Sequence, residues 1–258
     1  MSSIIKITNL RKSYGTNEVL KGINLDIQKG DIVGYIGPNG SGKSTTVKIL
    51  LSILTDYEGD IEIFGENIKN NPVKYKSKIG YVPEVAELYE SLTPREFLNF
   101  LGGIYGMDES EIDTKAMELM DIFGIKESYD SRISSFSKGM KQKVLIISSM
   151  IHNPDILFLD EPLSGLDANS VAVLKEILHQ LSKKGKTIFY SSHIMDVVEK
   201  ISSRIVLIKD GQILADGSFD ELKNINLDSS LENIFNQLTG FNDHTDLAKK
   251  FVDIIGGE

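Results

Sequence analysis

Ile32-Val33-Gly34-Tyr35-Ile36-Gly37-Pro38-Asn39-Gly40-Ser41-Gly42-Lys43-Ser44-Thr45-Thr46-Val47-Lys48-Ile49-Leu50-Leu51 is the stretch that decides the fold. An apolar run, a glycine-rich segment and an apolar-periodic run follow one another, which reads as strand, loop, helix. Gly37, Gly42, Lys43 and Ser44 meet the spacing G-x-x-x-x-G-K-[ST]. Glycine lets the backbone curl so that several N–H groups aim at one anion. A helix starting near Lys43 adds the positive end of its dipole, Lys43 reaches β- and γ-phosphates, and the Ser44 hydroxyl ligates Mg2+. From Gly37 through Pro38, Asn39, Gly40, Ser41, Gly42, Lys43 and Ser44 to Thr45, the loop is a site for a nucleoside triphosphate and its metal.

With 258 residues, 41% of them hydrophobic, the chain can bury a full core as one large domain or a domain with an inserted lobe. It contains no cysteine, which removes disulfides and thiolate metal sites and suits a reducing compartment, the cytoplasm being the default. Lys and Arg number 28 against 37 Asp and Glu, a formal charge of −9, and no basic run is segregated, so no nucleic-acid partner is expected. The N-terminus alternates like a strand and lacks the basic start and apolar block of a signal peptide. The longest uncharged apolar stretch, residues 144–151, falls far short of the ~20 residues that a membrane-spanning helix needs. Work at a membrane would require another chain to supply the membrane part.

Residues 4–10 and 19–27 read as two antiparallel strands joined by a turn-rich connector, 11–17. In that connector Tyr14 is placed either to stack on a base or to pack at a strand edge. A helix over 44–54 follows the phosphate loop, then a short strand at 60–65 and a buried strand at 79–84 that ends at Pro83. From 93 to 150 the pattern turns helical, with runs at 95–101, 111–123 and 138–151, an inserted helical lobe. Thr93-Pro94-Arg95-Glu96 is a helix start, with a hydroxyl cap, proline at the first position and an acid in the first turn. Ile156-Leu157-Phe158-Leu159 is apolar throughout, as expected of a parallel strand covered on both faces. Strands at 187–190, 204–209 and 212–215 then alternate with helices at 171–181 and 194–201, a doubly wound pattern, and Asp210-Gly211 makes the last hairpin turn. Two short helical patterns, 231–238 and 247–254, close the chain.

Asp160-Glu161 lies at the carboxyl end of an apolar strand, where open α/β sheets place their ligands. Beside a phosphate loop, Asp160 would hold Mg2+ and Glu161 would orient the attacking water or take its proton, whereas elsewhere such a pair is solvated loop charge. His193, after Tyr190-Ser191-Ser192, either reaches the γ-phosphate or caps the following helix.

The phosphate loop, Ile156 to Pro162, Ser164-Gly165-Leu166-Asp167 and Ser191-Ser192-His193 occur in the order found in ATP-binding cassette (ABC) ATPases, which the chain resembles over about residues 1–222. The family's signature loop, usually LSGGQ, is here Phe136-Ser137-Lys138-Gly139-Met140, which keeps the serine and second glycine. The resemblance implies a P-loop NTPase fold with a doubly wound, mostly parallel core sheet, an N-terminal antiparallel β-subdomain and an inserted α-helical lobe. It implies a RecA-like core and lobe within 1–222, the lobe spanning about 88–152, and a C-terminal helical extension over 223–258. Tyr14 resembles the adenine-stacking aromatic, and Ser137 and Gly139 the residues that contact ATP on the partner subunit. Asp160 resembles the metal carboxylate, Glu161 the catalytic base, Asp167 the D-loop aspartate and His193 the switch histidine. Glu84 stands where the family usually has a metal-touching glutamine; a carboxylate still binds metal but, ionised, donates no hydrogen bond.

Pro83-Glu84, Ser137-Lys138-Gly139-Met140 and Ser230-Leu231-Glu232-Asn233-Ile234-Phe235 resemble the ATPase subunits of ABC-2-type exporters. The implied activity is transport-coupled ATP hydrolysis with ATP and Mg2+, by a homodimer or a heterodimer with another cassette. The implied partner is a separate multi-span transmembrane permease, which would hold the chain on the inner face of the cell membrane. A soluble ABC protein acting on nucleic acid, ribosomes or cluster assembly is the alternative class. Such relatives carry a long coiled coil between phosphate loop and signature, or two cassettes, and neither is present. A metabolic kinase is the third reading, and the serine loop with Ser191-Ser192-His193 argues against it.

Overall fold

In the computed structural model, which describes residues 3–85, 88–226, 230–240 and 244–256, the strands form two sheets. Met1 and Ser2, which open the alternating N-terminus, lie outside the described residues. Strands β1 (Ser3–Tyr14) and β2 (Asn17–Gln28) form a hairpin, followed by β3 (Ile32–Ile36), helix α1 (Lys43–Leu50), β4 (Glu58–Ile63), β5 (Glu66–Asn67), α2 (Pro72–Lys76) and β6 (Ile79–Val82). The lobe comprises α3 (Pro94–Ile104), α4 (Glu109–Ile122) and α5 (Lys138–Met150). The chain then runs through β7 (Ile156–Asp160), α6 (Ala168–Lys183), β8 (Thr187–Ser191), α7 (Met195–Ile201), β9 (Arg204–Lys209), β10 (Gln212–Gly217), α8 (Phe219–Asn226), α9 (Leu231–Thr239) and α10 (His244–Gly256).

The smaller sheet, in the order β2-β1-β4-β5, is antiparallel. The larger runs β10-β9-β3-β8-β7-β6 and is parallel except for β10. Residues of β3 alternate between two cores: Ile32 and Ile36 face the one that includes the helical lobe, Val33 and Tyr35 the one shared with the smaller sheet. β7 divides the same way, Leu157 and Leu159 against Ile156 and Phe158. Strands covered on both faces are therefore uniformly apolar, as the sequence of β7 suggested. Tyr35, Phe189 and Phe158 pack in series with tilted rings, their centroids 4.8 and 5.5 Å apart. Each such contact adds roughly 0.5–1.5 kcal/mol beyond burial.

Three expectations shift in detail. The connector 11–17 shrinks to Gly15 and Thr16, because Arg11 through Tyr14 continue the ladder of β1 and pair with residues 17–21 of β2. Helix α1 ends at Leu50 rather than 54: Ser52 turns left-handed at φ 47°, and the Ile53 and Leu54 N–H groups both close on the Lys48 carbonyl. Leu51 and Leu54 pack against the core without being helical, so apolar spacing overran the element. Helix α2 was not expected, although Asn71 caps it and Pro72 opens it.

The lobe's expected helix start is present in full: the Thr93 hydroxyl accepts from Glu96 N, and the Glu96 carboxylate accepts from Thr93 N. Arg95 ties α3 to the Asp113 carboxylate on α4 (2.6 Å) and to Asp130 (2.7 Å), and Tyr129 donates to Asp113 at 2.7 Å. The last hairpin turns at Asp210 and Gly211, both at positive φ, the geometry that matches strand twist. Near the C-terminus, Leu231 and Ile234 of α9 join the lobe-side core, and Glu199 of α7 accepts the Leu231 N–H. Phe251, Val252, Ile254 and Ile255 of α10 are exposed. Among the described residues, no helix is long and apolar enough to cross a membrane.

Candidate functional site

Three neighbouring strands of the larger sheet, β3, β8 and β7, end on the same side, and each delivers one part of a cleft of about 790 Å³. This is the crevice at strand carboxyl ends where open α/β sheets bind ligands. β3 leads into the phosphate loop, β7 ends at Asp160 followed by Glu161, and β8 ends at Ser191, in register with Asp160 and followed by His193. All three meet at the cleft wall although residues 43, 161 and 193 are far apart in the chain.

The loop is seated by backbone contacts. The Gly211 N–H donates to Ser41 O at 3.2 Å and Gly211 O accepts from Lys21 N at 2.9 Å, so the β9–β10 turn joins the phosphate loop to β2. Only glycine fits at 37: an added Cβ would stand 2.1 Å from the Ile208 carbonyl oxygen on β9. Lys43 opens α1 and donates from Nζ to the Gly37 and Pro38 carbonyls at 2.6 and 3.1 Å. Burial lowers the Lys43 pKa, while the negative fields of Asp160, Glu161 and Glu84 act against that shift. The Asp160 carboxyl is pushed up, chiefly by burial and further by Glu84 and Glu161.

Glu161 adopts left-handed backbone geometry, φ 49°, uncommon for this residue type and characteristic of strained functional positions. Its N–H donates to Ser191 O, and its carboxylate accepts from the His193 N–H at 2.8 Å and the Ser192 hydroxyl at 3.1 Å. The His193 ring reaches the same carboxylate, Nδ1 to Oε1 2.8 Å. Two donors just after β8, the Ser192 hydroxyl and the His193 N–H, thus fix the direction of Glu161, with the His193 ring beside its carboxylate.

Of the residues singled out in the sequence, Tyr14, Gly37, Asn39, Gly40, Gly42, Lys43, Ser44, Thr45, Glu84, Asp160, Glu161 and His193 line the cleft. Pro38 and Ser41 belong to the loop without lining the cleft; the buried Ser41 hydroxyl has no hydrogen-bond partner among the described residues. Ser137, Gly139 and Asp167 are not cleft residues of this molecule. Ser137 caps α5, accepting from Met140 N at 3.2 Å, and an added Cβ on Gly139 would press the Gly165 carbonyl at 2.6 Å. Asp167 caps α6 and pairs with Lys143 of α5 at 3.1 Å, while buried Gln142 donates to Pro162 O at 3.0 Å. The serine loop and the segment after β7 are therefore tied together outside this cleft.

Sequence reasoning missed Asn17 and Val19 in the cleft wall. Neither type signals a ligand; the signal was the hairpin register, which sets Asn17 opposite Tyr14.

The family model described as ABC transporter matches residues 20–164. The bacitracin transport ATP-binding protein BcrA of Bacillus licheniformis is 38% identical over 88% of this chain and 73% of its own length. The linearmycin resistance ATP-binding protein LnrL of Bacillus subtilis is 36% identical, covering 85% and 70%. The ABC transporter ATP-binding protein NatA of the same species is 34% identical, covering 84% and 89%. Among solved structures, an ATP-binding subunit of an ABC transporter superposes with a TM-score of 0.86 at 30% identity, covering 92% of this chain and 99% of that one. A dimeric ATP-binding cassette in a post-hydrolysis state, bound to ADP and Pi, gives a TM-score of 0.77 at 27% identity, over 83% and 98%.

Proposed function

This chain belongs to the ABC transporter family of ATP-binding proteins, and from that premise we propose that it binds and hydrolyses ATP as the motor subunit of an exporter, working as a dimer on a separate permease. The observation that carries the site is the meeting of Lys43, Ser44, Asp160, Glu161 and His193 in one cleft while Ser137 lies outside it. The phosphate loop and Lys43 hold the triphosphate, and Tyr14, which lines the same cleft, stacks on the adenine. Ser137 and Gly139 serve the nucleotide of the facing subunit, and Asp167, tied to the same helix, lies at that junction.

The acids and hydroxyl in the cleft are hard oxygen donors suited to Mg2+, with Ser44, Asp160 and Glu84 as its residues. Burial, with Glu84 and Glu161 beside it, pushes the Asp160 carboxyl up, and a bound cation would act against that shift. Bound there, Mg2+ supplies charge neutralisation on phosphate oxygens. Glu161 orients a water and takes its proton as the oxygen forms a bond to the γ-phosphorus and the bridging oxygen leaves with ADP. His193 holds the Glu161 carboxylate and faces the γ-phosphate end of the cleft. ATP must bind the closed dimer more tightly than the open one for its hydrolysis to drive motion.

Residues 1–222 form the ATPase domain, with the lobe at about 88–152, and 223–258 an extension. The exporter class, the permease and a position on the inner face of the membrane follow from the kind of proteins the chain resembles and from the family's division of labour. Replacing Glu161 by Gln leaves one amide oxygen to accept from His193 N, so ATP binding is kept. Turnover falls by roughly 10²–10⁴-fold, and a dimer accumulates in Mg-ATP by light scattering. Hydrolysis at the parent rate rejects the assignment.

A further inference from the structure

Beside Tyr14, outside the cleft, lies a charge that the phosphate chemistry does not use. Tyr14 lines the cleft and is 48% exposed, whereas Lys12, two residues earlier on β1, is only 7% exposed and is not a cleft residue. The ladder shifts register between Lys12 and Ser13, and the Lys12 side chain reaches along β1 to the Tyr14 ring. Its Nζ stands 5.0 Å from the Tyr14 ring centroid and 3.0 Å from the Asp56 carboxylate, which comes from the connection between α1 and β4. With one ring face under the ammonium, the face available to a base is the one turned to the cleft.

A buried ammonium needs a partner. Asp56 supplies one from a fully exposed side chain, so water screens the carboxylate more than it screens the lysine. The cation therefore still acts on the ring: it is attracted to the π face and draws electron density toward itself. The opposite face becomes poorer in electrons and repels the π cloud of a purine less, which favours stacking. The lysine stem, packed in place, also limits the ring's rotation and so the entropy lost when a base lands on it.

We propose that Lys12, anchored by Asp56, is a positioning residue for base recognition: it fixes the Tyr14 ring and polarises it for an electron-rich purine on the opposite face. This rests on Tyr14 being the stacking residue. A lysine that merely attracts polyphosphate, or merely supports the hairpin, would share the geometry but not the following behaviour.

Calorimetric titration with Mg-ATP and with Mg-tripolyphosphate, which has no base, separates them on the full chain. Lys12→Met keeps the apolar stem and removes the charge; it weakens Mg-ATP binding by roughly three- to tenfold and leaves tripolyphosphate binding unchanged. Lys12→Arg restores most of the loss. In a Tyr14→Ala background, Lys12→Met adds nothing. Equal weakening of tripolyphosphate, the same loss in the Tyr14→Ala background, or no loss in Lys12→Met when Tyr14→Ala is weakened, overturns the proposal. If Tyr14→Ala itself binds Mg-ATP as the parent does, the stacking reading has failed instead.

Discussion

Ser137→Asp separates two ways in which the serine loop could meet a nucleotide. Ser137 is the N-cap of α5, in extended backbone geometry, with its hydroxyl accepting from Met140 N at 3.2 Å. Aspartate caps helices as well as serine does and suits the positive end of the dipole, so the cost to the fold stays within a few tenths of a kcal/mol. Facing a partner's triphosphate, the new carboxylate is a like charge. At about 4 Å and an effective dielectric near 20 the repulsion is about 4 kcal/mol, roughly a thousandfold in rate. Ser137 does not line its own cleft, so the affinity of the isolated monomer for ATP remains that of the parent. The melting temperature, ATP affinity below the dimerisation concentration and phosphate release at saturating Mg-ATP are the three readouts. Mixing with Lys43→Ala completes the test. In a 1:1 mixture of freely exchanging subunits half the dimers are mixed, and each has one site with both parts intact, so roughly a quarter of the parent activity returns. Loss of monomer affinity, or a mixture no more active than its components, would refute the two-subunit site.

Gly37→Ala forces a methyl to within 2.1 Å of the Ile208 carbonyl, between paired strands that cannot part without losing their ladder. Overpacking of about 1–3 kcal/mol lowers the melting temperature by roughly 2–12 °C and tilts the loop off the phosphates; parent stability and parent ATP affinity together would contradict the packing. Asp167 is held well below the ordinary aspartate range, first by the Ser170 hydroxyl and N–H and then by Lys143. A depressed acid stabilises the fold while ionised: the contribution is complete above about pH 4 and fades as pH drops below that value. Asp167→Asn, which still caps α6, therefore melts lower than the parent at pH 7, and the two curves converge on acidification; parallel curves would show that the charge does nothing.

The phosphate loop, the acidic pair after β7, His193 and the Asp210-Gly211 turn were legible because each depends on backbone geometry over a few residues, which glycine spacing, strand ends and turn types impose locally. The hydroxyl cap, proline and first-turn acid that open α3 were legible for the same reason. Helix α1 was overrun because Leu51 and Leu54 keep an apolar spacing that packing uses without helical backbone. Asn17 and Val19 entered the cleft, and Lys12 came to lie under Tyr14, through a strand register that no residue type announces.

From its sequence alone this chain was bound to present an anion-binding loop with a carboxylate pair and a histidine elsewhere in an α/β chain. Which of them would share a wall depended on the order β3-β8-β7, in which Ile32 of β3 pairs with Ile188 of β8 and Ile156 of β7 with Thr187 of β8. The same tertiary packing left Ser137 outside the cleft, on a helix bound through Lys143 and Gln142 to the segment after β7. Spacing rules act along the chain, while the sheet order and the burial of a lysine beside an aromatic ring are settled only when distant segments compete for one core.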